Sequence, residues 1–130
     1  MPGKRNLQQV VLVVEDEVDV RKFASKVLEI EGYTVLQAGN AEDGLDLLKQ
    51  HNVNLVLVDL RLPVNSGLWL LGEIKRTKEI SSIPVVVLTA SAEASQREKA
   101  LGMGATDYLV KPISAAGIRK AVARVLRLKK

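Results

Sequence analysis

Apolar residues in this chain gather in five short runs: Val10 to Val14, Thr34 to Ala38, Leu55 to Val58, Val85 to Leu88 and Tyr108 to Val110. Each has the length of a strand and is too short for a helix. Four of the five are apolar without alternation, as a strand covered on both faces must be, and so they predict a parallel sheet between layers of helices. Thr34 to Ala38, broken by Thr34 and Gln37, reads as an edge strand.

The intervening segments carry helical spacing. Val20, Phe23, Ala24, Val27 and Leu28 recur at i, i+3, i+4, i+7 and i+8 and predict a first crossover helix with that stripe turned inward. Asn40, Ser66 and Ser114 stand at N-cap positions before Ala41 to Gln50, Gly67 to Arg76 and Ala115 to Leu128. In the last of these, Ile118, Ala121, Val122 and Val125 form a buried stripe, and the Arg and Lys residues between them form a solvated basic face. Ala92 to Leu101 has the poorest stripe, mainly Ala94, Ala100 and Leu101, and is expected to be the most weakly anchored helix.

Alternating strands and helices with right-handed crossovers give an α/β fold. Five strands are too few for the Rossmann order. The doubly wound order 2-1-3-4-5 fits, and it opens a crevice at the carboxyl ends of strands 1 and 3, where ligands bind.

Composition narrows the function classes. The chain has 130 residues, 47% of them hydrophobic and 26% charged, which suits a single domain: a polar extension over 1–8 and a globular core over 9–130. It has no cysteine, so disulfides, a thiol nucleophile and a Cys-based zinc site are excluded. The polar stretch Met1 to Gln9 and the brief apolar run after it support neither export nor membrane insertion, and a cytoplasmic setting is expected. The net charge of +4 is mild and partly terminal, carried by Lys4, Arg5, Arg119, Lys120, Arg124, Arg127, Lys129 and Lys130. Charge alone is weak support for a nucleic-acid partner, and no direct nucleic-acid binding by this segment is expected.

Polar residues follow the strands. Glu15 and Asp16 come directly after the first run, Asp59 after the third, Thr89 after the fourth and Lys111 after the fifth. Singly, each has a plain structural role: an acid caps a turn, a threonine caps a helix, a lysine sits on the surface. Together they converge on one sheet edge. Three carboxylates there repel one another unless a cation shares the site. With oxygen donors only, that cation is a hard one, and a partly hydrated Mg²⁺ suits a phosphate-handling site. Thr89 and Lys111 offer the hydroxyl and the fixed charge that phosphoryl oxygens need, and Asp59 is the natural nucleophile for an aspartyl phosphate.

At these residues the chain resembles the receiver domain of two-component response regulators. The Val-rich strand ending in Glu15 and Asp16, Asp59 followed by Pro63 and Gly67, Thr89-Ala90 after an apolar strand, and Lys111-Pro112 after Tyr108 carry the likeness over about the whole chain. The resemblance implies a flavodoxin-like fold with Asp59 as phosphoryl acceptor. It also implies Mg²⁺ ligands in Asp16, Asp59 and the Arg61 backbone carbonyl, with Glu15 acting through a water. Thr89 is then the switch hydroxyl, Lys111 the ion-pair partner of the phosphoryl group, Tyr108 the aromatic switch, and the Lys111-Pro112 bond cis.

The implied function is a signalling phosphoacceptor, not a metabolic enzyme. A sensor histidine kinase, phosphotransfer domain or small phosphodonor supplies the group. The face of the fourth helix, fifth strand and fifth helix then switches and docks a partner or a second copy. Either a stand-alone regulator or a segment of a longer regulator or hybrid kinase fits. Glu15 replaces the usual aspartate, while Leu62, Asn65 and Ser66 depart from the commoner Met, Met and Asp. Arg61 and Ser91 occupy positions that tune phosphoryl lifetime in the family.

The alternatives fare worse. A haloacid-dehalogenase-like phosphatase needs Asp-x-Asp where Glu15-Asp16-Glu17 stands, and a flavodoxin-like FMN carrier needs a phosphate-cradling loop where this one is acidic. An inert interaction domain has no use for the full acid, Thr and Lys set. Gly102-Met103-Gly104 precedes a strand and reads as a helix C-cap and turn, not a dinucleotide fingerprint. His51 suits the end of the second helix, and Trp69 suits partly buried packing.

Overall fold

The computed structural model describes residues 9–90 and 94–128. Five strands, β1 (Val10–Val14), β2 (Thr34–Ala38), β3 (Leu55–Asp59), β4 (Val85–Thr89) and β5 (Asp107–Val110), form a parallel sheet in the order β2-β1-β3-β4-β5. Five helices connect and follow them: α1 (Val18–Ile30), α2 (Ala41–Gln50), α3 (Gly67–Arg76), α4 (Ala94–Gly102) and α5 (Ala115–Leu128).

The unbroken apolar strands divide between two cores because successive side chains face opposite sides. Leu12, Val14, Val56, Val58, Val85 and Val87 pack with α2, α3 and Ala100 of α4. Val11, Val13, Leu55, Leu57, Val86 and Leu88 pack with α1 and α5, whose stripe Ile118, Val122 and Val125 is fully buried. All three expected N-caps form: Asn40, Ser66 and Ser114 accept from the backbone N–H of Asp43, Trp69 and Gly117 respectively.

β3 and β4 each run one residue further than expected, to Asp59 and Thr89, and three other expectations change. The fifth strand starts one residue early, at Asp107, and is half-exposed rather than covered on both faces, because the strand order leaves it at an edge. Phe23 is 43% exposed, so the α1 stripe contracts to Ala24, Val27 and Leu28. In α4, Leu101 is 40% exposed, which leaves Ala100 as the buried residue among the described side chains of that helix. Ala92, where this helix was expected to begin, lies outside the described residues.

The loop after β3 holds Val64 at φ 66°, a left-handed backbone that a β-branched side chain adopts only with strain. Val64 is 95% exposed, so no packing offsets that cost. Val64→Asn is expected to raise stability by about 1 kcal/mol, read as a higher denaturation midpoint at unchanged m-value. A midpoint that stayed in place would show the strain to be absent in solution.

Candidate functional site

Strand parity assembles the charged centre. Val13, Leu57 and Leu109 face the α1/α5 core, and two residues on from each come Glu15, Asp59 and Lys111, which continue the same side past the edge of that core. The sheet register persists there: Glu15 N–H donates to the Ala38 carbonyl at 3.0 Å and Lys111 N–H to the Thr89 carbonyl at 2.7 Å. Lys111 Nζ lies 2.7 Å from Asp59 Oδ2, 2.9 Å from Glu15 Oε1 and 3.5 Å from Glu17 Oε1. The Lys111-Pro112 peptide is cis.

The loops lock these side chains. Arg61 N–H donates to Asp59 Oδ1 at 2.9 Å, and Glu17 N–H donates to Glu15 Oε2 at 3.1 Å. Gly67 brings α3 against the strand end so closely that a Cβ there would lie 2.2 Å from the Asp59 carbonyl oxygen. Asn65 bonds Glu42, tying the β3–α3 loop to the first turn of α2. Arg21, which the sequence did not single out, donates from Nη1 to the Glu15 carbonyl at 2.7 Å and from Nε to Gln37 Oε1 at 3.3 Å. It thus ties α1 to the ends of β1 and β2. Its only sequence signal is its place in the first turn of the helix that follows the acids.

Burial dominates the electrostatics. It pushes the Glu15 carboxyl up from the usual 4.5 to about 7; the Lys111 ammonium and the Glu17 N–H oppose the rise, and the charge on Asp59 adds to it. For Lys111 burial works downward but is outweighed by the Asp59 and Glu15 carboxylates, so its pKa is raised and it stays charged at neutral pH. Lys111 Nζ is the ion-pair neighbour of Glu15 Oε1, and among the described residues that buried oxygen has no other donor.

Glu15, Asp16 and Asp59 each present an oxygen within 4.8 Å of the others, with Asp16 exposed to solvent. An all-oxygen set in which one buried carboxylate oxygen is met only by the Lys111 ammonium among the described residues fits a hard divalent cation. Folded Glu15 holds its proton more tightly than the unfolded chain does. Between pH 4.5 and about 7 the folded state therefore binds more protons, and metal-free stability declines as pH rises. Cation binding competes with that proton, so affinity for Mg²⁺ is expected to increase as pH climbs to about 7 and then level off. Calorimetric titration across that range checks this, and a flat affinity would contradict it.

Thr89 is buried at the end of β4, adjacent to β3, and pairs with Val110 in the sheet register. Tyr108 is half-buried on β5 beside Arg97. The expected turn at Gly102-Met103-Gly104 is present: Met103 N–H bonds the Lys99 carbonyl, Ala105 N–H bonds the Ala100 carbonyl, and Gly104 takes φ 108°. His51 is the exposed C-cap of α2, and Trp69 packs half-buried against the core. Ser91 lies outside the described residues. Among those residues no helix is long and apolar enough to cross a membrane.

Comparison with known proteins gives consistent results. The family described as response regulator receiver domain matches residues 11–123. The chain is 34% identical over 120 residues to the "Probable transcriptional regulator ycf27" of Porphyridium aerugineum, covering 92% of this chain and 49% of that protein. It is 35% identical over 117 residues to the phosphate regulon transcriptional regulatory protein PhoB of Escherichia coli, covering 90% of this chain and 51% of that protein. Among solved structures, the receiver domain of NtrX from Brucella abortus superposes with a TM-score of 0.84 at 32% identity, covering 90% of this chain and 98% of that one. The chain thus spans about half the length of the curated relatives it matches.

Proposed function

This chain belongs to the response regulator receiver domain family, and from that premise we propose that it accepts a phosphoryl group on Asp59. Receiver domains of response regulators take that group from histidine kinases, and here a phosphotransfer domain or small phosphodonor can serve as well. Asp16, Asp59 and the Arg61 backbone carbonyl would hold Mg²⁺, with Glu15 as the outer acid of the set. Bound there, the ion would supply positive charge to offset the acids and the incoming phosphoryl group.

The chain's own groups do the rest. An Asp59 carboxylate oxygen attacks phosphorus as the bond to the donor's nitrogen or oxygen breaks, and the donor leaves with that electron pair. Lys111, fixed beside Asp59 Oδ2, faces the charge brought in by the phosphoryl group. Thr89 closes onto that group and Tyr108 follows. This biases an equilibrium of the α4–β5–α5 face toward docking a downstream partner or a second copy. The function is signalling in a cytoplasmic setting.

The observation that carries the reading is the placing of Glu15, Asp59 and Lys111 within ion-pair distance at the ends of three strands. Incubation with acetyl phosphate should give an acid-stable, base-labile mass gain of one phosphoryl group with Mg²⁺ and none with a chelator. Equal labelling in both samples would contradict the metal-dependent mechanism.

A further inference from the structure

The guanidinium of Arg97, on α4, stands over the Tyr108 ring with Cζ 5.2 Å from its centroid, and Nη1 donates to Tyr108 Oη at 3.2 Å. Among the described residues its buried Nε has no hydrogen-bond partner. An arginine on a solvated helix ordinarily extends its head into water. Here it gives up hydration at one nitrogen, so the ring face and the phenol oxygen must compensate.

The rest of α4 does little to fix its place. Ser95, Gln96, Glu98, Lys99 and Leu101 are exposed, and only Ala100 is buried among the described side chains. The Arg97–Tyr108 contact is therefore a principal tie between α4 and β5, and any rotation of Tyr108 has to break it.

Resting on the reading of Tyr108 as a switch, we propose that Arg97 is a positioning residue that latches Tyr108 to α4 and sets the resting population of that switch. Loss of the latch removes a cost of the switched state, so a ligand selecting that state should bind more tightly. Lysine retains the charge but not the planar fork, so it should act as a partial latch.

The test uses Tyr-labelled protein, in which only Tyr33 and Tyr108 report, titrated with beryllofluoride and Mg²⁺ as the phosphoryl mimic. Arg97→Ala should shift the Tyr108 ring signal, and not that of Tyr33, before any mimic is added. It should also tighten mimic binding by about three- to tenfold, with Arg97→Lys intermediate in both readouts. In a Tyr108→Ala background, Arg97→Ala should leave the affinity unchanged. An unmoved Tyr108 signal and unaltered affinity in Arg97→Ala would overturn the latch while the phosphoacceptor reading stands. Failure of the unsubstituted protein to bind the mimic would overturn that reading, and the latch's role in switching with it.

Discussion

Asp59→Asn should take up no phosphoryl group from acetyl phosphate and Mg²⁺ under conditions that label the unsubstituted chain. The amide keeps the shape of the carboxylate but has no anionic oxygen to attack phosphorus. The fold should survive, because Glu15 remains beside Lys111 and loses the neighbouring charge that helps push its pKa up. Intact-mass measurement reads the labelling, and circular dichroism reads the fold. Undiminished labelling of Asp59→Asn would place the acceptor elsewhere.

The second large effect concerns stability. Lys111→Met keeps the aliphatic stem and deletes the charge that faces two buried carboxylates. Removing one partner from a buried ion pair costs about 3–5 kcal/mol, a large share of the roughly 5–15 kcal/mol that holds a domain folded. The deficit should be greatest above pH 7, where Glu15 is ionised. It should shrink as pH falls below about 7 and Glu15 takes up a proton, and Mg²⁺ should restore part of it at high pH. Urea denaturation at pH 6 and pH 8, with and without Mg²⁺, measures all three. A variant as stable as the parent at pH 8 in chelator would show that the lysine does not balance the acids.

The strands, their order and most of the helices were legible in the sequence because burial imposes a period that residue type reveals. Runs such as Val85 to Leu88 have to be covered on both faces. The acids were legible for a related reason: strand ends lie at one edge, so Glu15, Asp59 and Lys111 had to be neighbours once the topology was known.

What escaped depends on reach and local backbone. Arg21 and Arg97 act through the far ends of long side chains, which no periodicity marks. The strain at Val64 lies in a φ angle that its residue type argues against. The exposure of Phe23 and of β5 follows from how much of each edge the neighbouring helices cover, a tertiary property that a stripe cannot report.

The most direct measurement is borohydride reduction of the chain after treatment with acetyl phosphate and Mg²⁺, followed by peptide mapping. A single reduced site at Asp59 is the predicted result. A modified residue at any other position, with Asp59 recovered intact, would contradict the account.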